Sequence, residues 1–212
     1  MDKTGEVKLA HFSVKEYLLS KRHQNVPSSF CISETSSHSF ISQTCLAYLL
    51  QFDKPDCMSS SMIHKFPLAQ YAAQYWTFHA QAGRDDSSDA LQKLTVHLLQ
   101  SQHSPPFITW VQLWDLDNPW QRMDLRRKST EIPPPLYYAS LAGLVQAVQT
   151  LMEKGGDVNA QAGCYGNALQ AASCCGHEAI VKLLLEGKAD VNAQGGEYSN
   201  TLQAALSGGL RS

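Results

Sequence analysis

From residue 134 onward, apolar and polar positions recur with a period of 33 residues. NALQAA at 167–172 returns as NTLQAA at 200–205, and DVNAQ at 157–161 returns at 190–194. Gly143, Gly176 and Gly209 keep the same interval, as do Leu136, Leu169 and Leu202. A fixed period of this size marks stacked units rather than one irregular core. Each unit reads as a short Ala-rich helix, a glycine turn, a longer amphipathic helix and an extended loop. HEAIVKLLLEGK sets Ile180, Val181, Leu184 and Leu185 on one helical face. ADVNAQGGEYS, with Asn and glycines after a β-branched residue, suits a hairpin-like connection.

Upstream the pattern changes along the chain. GEVKLAHFSV alternates as a strand, with Val7, Leu9 and His11 on one side. SVKEYLLSKR reads as a helix with Ser13 as N-cap and Glu16 completing a capping box. Residues 22–39, rich in Ser and His, read as a loop. ISQTCLAYLLQF is helical. FPLAQYAAQYWTFHAQ is a helix with Pro67 near its first position. Its expected core face is Leu68, Tyr71, Ala72, Tyr75 and His79, and its aromatics are core, with one ring left to meet the repeats. SSDALQKLTVHLLQ, capped by Ser88, and PPFITWVQLWDLD complete the helical set. The polar segment DNPWQRMDLRRKSTEIP precedes Pro133–Pro135 and reads as a boundary.

The fold class expected is therefore mainly α: a helical region, with a short N-terminal strand, followed by a repeat solenoid. The divisions are 1–40, 41–117 for the helical region, 118–133 for a linker, and 134–212 for the repeats (134–166, 167–199 and a partial 200–212).

Composition narrows the function classes. Hydrophobic residues make up 43% and charged residues 17%, enough apolar material for a core. A formal net charge of -2 gives no global basic field for nucleic acid. No run of eighteen apolar residues occurs, so no membrane span is expected. The N-terminus has no apolar signal region, and the six cysteines have no framework spacing. Reduced thiols and a cytoplasmic location follow.

The chemical candidates are few. Cys174, Cys175 and His177 cluster near a turn. Their counterparts one period earlier are Leu141, Ala142 and Leu144, and one period later Ser207, Gly208 and Leu210. The backbone signal repeats while the chemistry does not, and three groups with adjacent cysteines do not make a four-ligand metal site. Nothing nearby would depress a thiol pKa or orient the imidazole as a base. His177 instead suits tying neighbouring turns together. Arg122, Arg126, Arg127 and Lys128, with Trp120, form a small basic patch that could serve DNA, though such charges are more often solvated surface. No G-x-S-x-G elbow supports a hydrolase, and no phosphate-binding loop occurs. No catalytic residue, metal ligand or cofactor is expected.

The repeat resembles the ankyrin family through its PLYYAS, ALQAAS and TLQAAL starts, its Gly176-His177 turn, its VKLLL helix and its ADVNA loop. Three positions depart from the family pattern: Gln170, Gln203 and Tyr137 stand where it has His. The left-handed cap at Gly155 becomes Lys188 one period on, so the second long helix is expected to stop one residue early. VKLAHFSVKEYLLS, CLAYLL and PLAQYAAQYWTFHA together resemble the segment between the NACHT module and the ankyrin array in fungal STAND, NLR-like proteins of the vegetative incompatibility kind. There a winged-helix domain named after GPI inositol-deacylase precedes a connector, which implies that 1–40, with its short strand, is a partial winged helix and 41–117 a helical connector. The resemblance implies a chain beginning after the ATPase module and ending inside a repeat. It also implies a non-catalytic module that binds a protein partner. Contact positions would be Gly163, Cys164 and Tyr165 at one tip and Glu197, Tyr198 and Ser199 at the next. Ser140, Leu141, Ser173 and Cys174 would line the inner helices. Neither nucleic acid nor membrane is an expected partner. Self-association is expected through the uncovered third repeat, around Leu202, Ala205 and Leu206. The alternative readings are a winged-helix DNA binder or a hydrolase-associated protein.

Overall fold

A computed structural model describes residues 33–54, 58–59, 61–83 and 89–209. The expected strand around Val7, the helix capped by Ser13, and the Ser88 cap lie outside the described residues. Among the described residues the regular structure is helical throughout: α1 (Glu34–Leu50), α2 (Ala69–Ala82), α3 (Asp89–Leu98), α4 (Pro105–Leu113), α5 (Pro135–Leu141), α6 (Val145–Glu153), α7 (Ala168–Cys174), α8 (Glu178–Glu186) and α9 (Thr201–Gly209).

The first helix begins earlier than its apolar run. Ser33 caps it, its Oγ accepting from Ser36 N at 3.2 Å, and Glu34 sits in the first turn beside the positive end of the dipole. Residues 34–39, read above as loop, are therefore helix. Within this stretch Ser37 Oγ donates back to Ser33 O, and one turn further on Ser42 Oγ donates to Trp76 O on the facing helix.

The second helix is turned relative to its expected face. Ala69, Ala72, Ala73, Trp76 and Ala80 are buried, whereas Leu68, Tyr71 and Tyr75 are exposed. Small residues decide this. The alanines carry no bulk, Ser42 Oγ bonds Trp76 O and the Ser39 backbone lies close to Gly83, so α1 and α2 approach closely, and dense packing outweighs the size of individual side chains. His79 stays inside, as expected, within hydrogen-bond reach of His38 (2.7 Å between Nδ1 atoms) and Tyr71 OH (3.2 Å).

The repeats stack in two rows. Helices α5, α7 and α9 pack in series, α6 packs on α8, and the connector joins both rows. Helix α3 lies beside α6, and the rings of Phe107 and Trp110 on α4 meet Tyr138 on α5 at 5.8 and 5.5 Å between centroids. Trp76 meets Trp110 edge-on at 5.1 Å. Such ring pairs contribute about 1 kcal/mol each beyond their burial. One continuous hydrophobic cluster runs from Cys45 on α1 to Leu184 on α8.

The segment between α4 and α5 carries a single 3-10 turn, Ser129–Glu131, yet it is fastened at many points. Gln102 Nε2 donates to Ile132 O at 2.6 Å, Gln112 Nε2 to Arg127 O at 2.9 Å, and Arg127 pairs with Asp115. Of the expected basic patch, Arg122, Arg126 and Lys128 are exposed, while Arg127 is committed to that pair.

Helix α8 does not stop early. It ends at Glu186, as α6 ends at Glu153, and Lys188 takes φ +66° where Gly155 takes +86°. The closing bonds explain why. Gly156 N reaches Leu151 O at 2.9 Å, and Ala189 N reaches Leu184 O at 2.9 Å. This 6→1 bond satisfies an end carbonyl and requires the left-handed residue before it.

Candidate partner-binding face

The loops that follow α6 and α8 fold into matching tips. Ala162 N donates to Gly166 O at 2.8 Å, and Gly195 N donates to Ser199 O at 3.0 Å. Asn167 and Asn200 then cap α7 and α9, their Oδ1 atoms accepting from Gln170 N (2.8 Å) and Gln203 N (3.0 Å). Side chains also link the loops. Asn159 Oδ1 accepts from Asp190 N at 2.8 Å, and Asn159 Nδ2 donates to Lys188 O at 3.3 Å. Glu197 N donates to Cys164 O at 2.7 Å, joining one tip to the next.

The position where the family pattern has His holds each tip in a different way. Gln170 Nε2 donates to Ala193 O and Gly195 O, both at 3.3 Å. Tyr137, one period earlier, works through the connector. Its hydroxyl donates to Asp117 and accepts from Tyr165 N at 3.2 Å, while Asp117 Oδ2 accepts from Cys164 N at 2.7 Å. Asp117 is 2% exposed, and burial lifts its carboxyl above the usual range against the pull of these bonds. Tyr138 OH donates to Asp115 at 2.8 Å, beside Arg127. Gly163 has φ +76°, and a Cβ there would fall on the Tyr137 ring. The first tip is thus held from behind by the Asp-Leu-Asp stretch 115–117. Reading the sequence alone missed these acids, whose partners lie up to 47 residues away.

The expected contact residues divide by burial. Gly163, Glu197 and Ser199 are exposed, and Cys164, Tyr165, Ser173 and Tyr198 are half-buried. Ser140 is fully buried, and Leu141 and Cys174 nearly so, which places them inside the stack instead of along a surface. The Tyr165 and Tyr198 rings stack at 5.9 Å with 24° between planes. The hydroxyl oxygens of Tyr198 and Thr201 are buried without a hydrogen-bond partner.

His177 ties adjacent turns, its Nε2 lying 3.2 Å from Leu141 O. Burial lowers its pKa, partly offset by that bond. Its ring also fills the space beside Gly143, which has φ +69°. The Cys164 and Cys175 thiols are pushed above the ordinary thiol range, mainly by desolvation, opposite to what a nucleophile needs. Among the described residues no group of three or more His, Cys, Asp or Glu side chains converges as a metal site would require. Among them, too, no helix is long and apolar enough to cross a membrane.

A family model described as ankyrin repeats, in three copies, matches residues 108–195, so the matched stretch starts inside α4. The azaphilone pigments biosynthesis cluster protein L of Monascus ruber is 39% identical over 185 residues, covering 80% of this chain and 38% of that protein. The chain therefore spans little more than a third of the length of this relative. With the 33-residue period and the paired tips, the match establishes that residues 108–195 form an array of ankyrin repeats.

Proposed function

We propose that the chain is a non-catalytic module that holds a protein partner along its two tips. The carrying observation is the Tyr165–Tyr198 stack, set between exposed Gly163, Glu197 and Ser199 on a backbone locked by cross-repeat bonds. Amphipathic rings on a preorganised surface give contact area at low entropic cost. The VKLAHFSVKEYLLS resemblance, together with the greater length of the relative, supports placing the module in a longer NLR-like fungal signalling protein as its partner-sensing part. Ion pairing of Arg127 reduces the basic patch and favours this reading over DNA binding. Exposed Leu202 and Leu206 on α9 support self-association at that end of the stack.

The test is affinity capture from fungal lysate with three chains: the natural one, a Tyr165→Ala/Tyr198→Ala variant, and a Trp120→Ala control. A partner lost at least tenfold with the tip variant and kept by the control supports the reading. Equal retention by both variants overturns it.

A further inference from the structure

Arg126 and Arg127 are the one place in the sequence where two arginines adjoin, and Lys128 and Ser129 follow them. Ser129 thus has arginine at both the third and the second position before it. Two guanidinium groups at that spacing from a hydroxyl suit the acidic substrate groove of a basophilic protein kinase, because arginine–carboxylate pairs are bidentate and fix the register of the bound segment. The local backbone presents this run. Arg126 and Lys128 are exposed, Ser129 is half-buried, and Lys128 is extended at φ -80° and ψ 150°. Side chains hold the stretch to its neighbours: Gln112 Nε2 donates to Arg127 O at 2.9 Å and Gln102 Nε2 to Ser129 O at 3.4 Å. It enters a groove by giving up these bonds, the Arg127–Asp115 pair and one 3-10 turn, with every α-helix left whole.

We propose that Ser129 is a phosphorylation site for a basophilic serine/threonine kinase, and that its phosphate takes Arg127 from Asp115. In the transfer, a bond forms from Ser129 Oγ to the γ-phosphorus of ATP, and the bond from that phosphorus to the β–γ bridging oxygen breaks. The hydroxyl proton passes to a carboxylate base of the kinase, and ADP leaves. The geometry of Arg127 carries the second step. Its Nη2 donates to Glu131 O at 3.0 Å while Nη1 pairs with Asp115, so the guanidinium lies over the turn that Ser129 begins. A phosphoserine brings about two negative charges and three acceptor oxygens to that turn, where Asp115 offers one charge. Fork-like binding to the phosphate is the stronger choice for the guanidinium. Asp115 then keeps Tyr138 OH (2.8 Å) and Asp117 N (2.9 Å) as donors but loses its counter-ion, beside buried Asp117. Modification of the linker thereby reaches the carboxylates that hold the first tip from behind.

The experiment incubates the full chain with MgATP and the catalytic subunit of cyclic-AMP-dependent protein kinase, a basophilic enzyme, and locates the phosphate by mass spectrometry. Incorporation is expected at Ser129, kept by Thr130→Ala, abolished by Ser129→Ala and slowed about tenfold or more by Arg126→Ala. The Arg126 side chain is exposed, so that variant leaves the fold as it is. Absence of incorporation, phosphate on Thr130 instead of Ser129, or indifference to Arg126→Ala overturns the site. Hydrogen exchange then reads the fate of Arg127. The Asp117 amide, bonded to the Asp115 carboxylate, is expected to exchange roughly threefold faster or more in the phosphorylated chain, because Asp115 without its ion pair turns toward solvent. A Ser129→Ala chain carried through the same reaction keeps the natural rate. Unchanged exchange in the phosphorylated chain overturns the transfer of Arg127.

Discussion

Repeats one and two trace the same backbone path with different residues at its demanding points. At the helix end, Gly155 becomes Lys188, and at the tip, Gly166 becomes Ser199, yet all four keep positive φ. The stack sets the dihedral and the sequence tolerates it. Repeat one meets this demand with glycine. Repeat two carries two side chains in a region that disfavours them by about 1 kcal/mol each. The second difference is how the tips are held. Repeat one uses a buried tyrosine and a connector carboxylate, repeat two a glutamine bonded to backbone.

The sharpest break of this comparison is at position 137. Tyr137→Phe leaves buried Asp117 short of one donor and Tyr165 N short of its acceptor. The expected loss is about 2 kcal/mol by urea unfolding. Gln170→Ala, the same register in repeat two, removes two long bonds at 3.3 Å and loses about 1 kcal/mol. Equal losses would show that the tips are held alike. Next in size are the reciprocal exchanges. Lys188→Gly gains, and Gly155→Lys loses, about 1 kcal/mol. Ser199→Gly gains somewhat less, because Ser and Asn-like residues tolerate the left-handed region better than long side chains do. A neutral Lys188→Gly would mean that its side chain has a compensating role.

The smallest expected effect concerns pH. His177 and His79 both have pKa values lowered by burial, so the unfolded chain binds protons more readily than the folded one. Stability is then fully present above the unfolded value of 6.5 and falls as pH drops below it. His177→Gln should flatten this decline by a few tenths of a kcal/mol while weakening the tie to Leu141 O. An unchanged slope between pH 7 and pH 5 would remove His177 from the explanation.

What the sequence made legible was whatever repeats locally. The 33-residue interval located both helices of each unit, the glycine turns and the tips. Residues whose partners lie far along the chain were opaque. Asp115 and Asp117 read as the tail of the helix PPFITWVQLWDLD, which in fact ends at Leu113, and nothing local shows that Tyr138, Tyr137 and Cys164 converge on them. The α2 face was misread because aromatic size suggested core, whereas the small residues Ala69, Ala72 and Ala73 are the ones buried. Ser33–Ser39 looked like loop because serines disfavour helix interiors. The Ser33 cap on Ser36 N and the Ser37 Oγ bond back to Ser33 O made helix acceptable there. The Lys188 expectation weighed only the cost of one residue and omitted the closing bond that fixes the turn.

The aromatic seam has an optical consequence. Trp76 and Trp110 are fully buried and in contact where the connector meets the first repeat, whereas Trp120 is 74% exposed. Parting of the connector from the array would strip Tyr138 from Trp110, wet that buried indole and shift its emission to the red. Fraying of α9, which carries no tryptophan, would leave the spectrum unchanged. The molecule thus carries a native fluorophore at its junction, and steady-state emission distinguishes opening in the middle from melting at the repeat end.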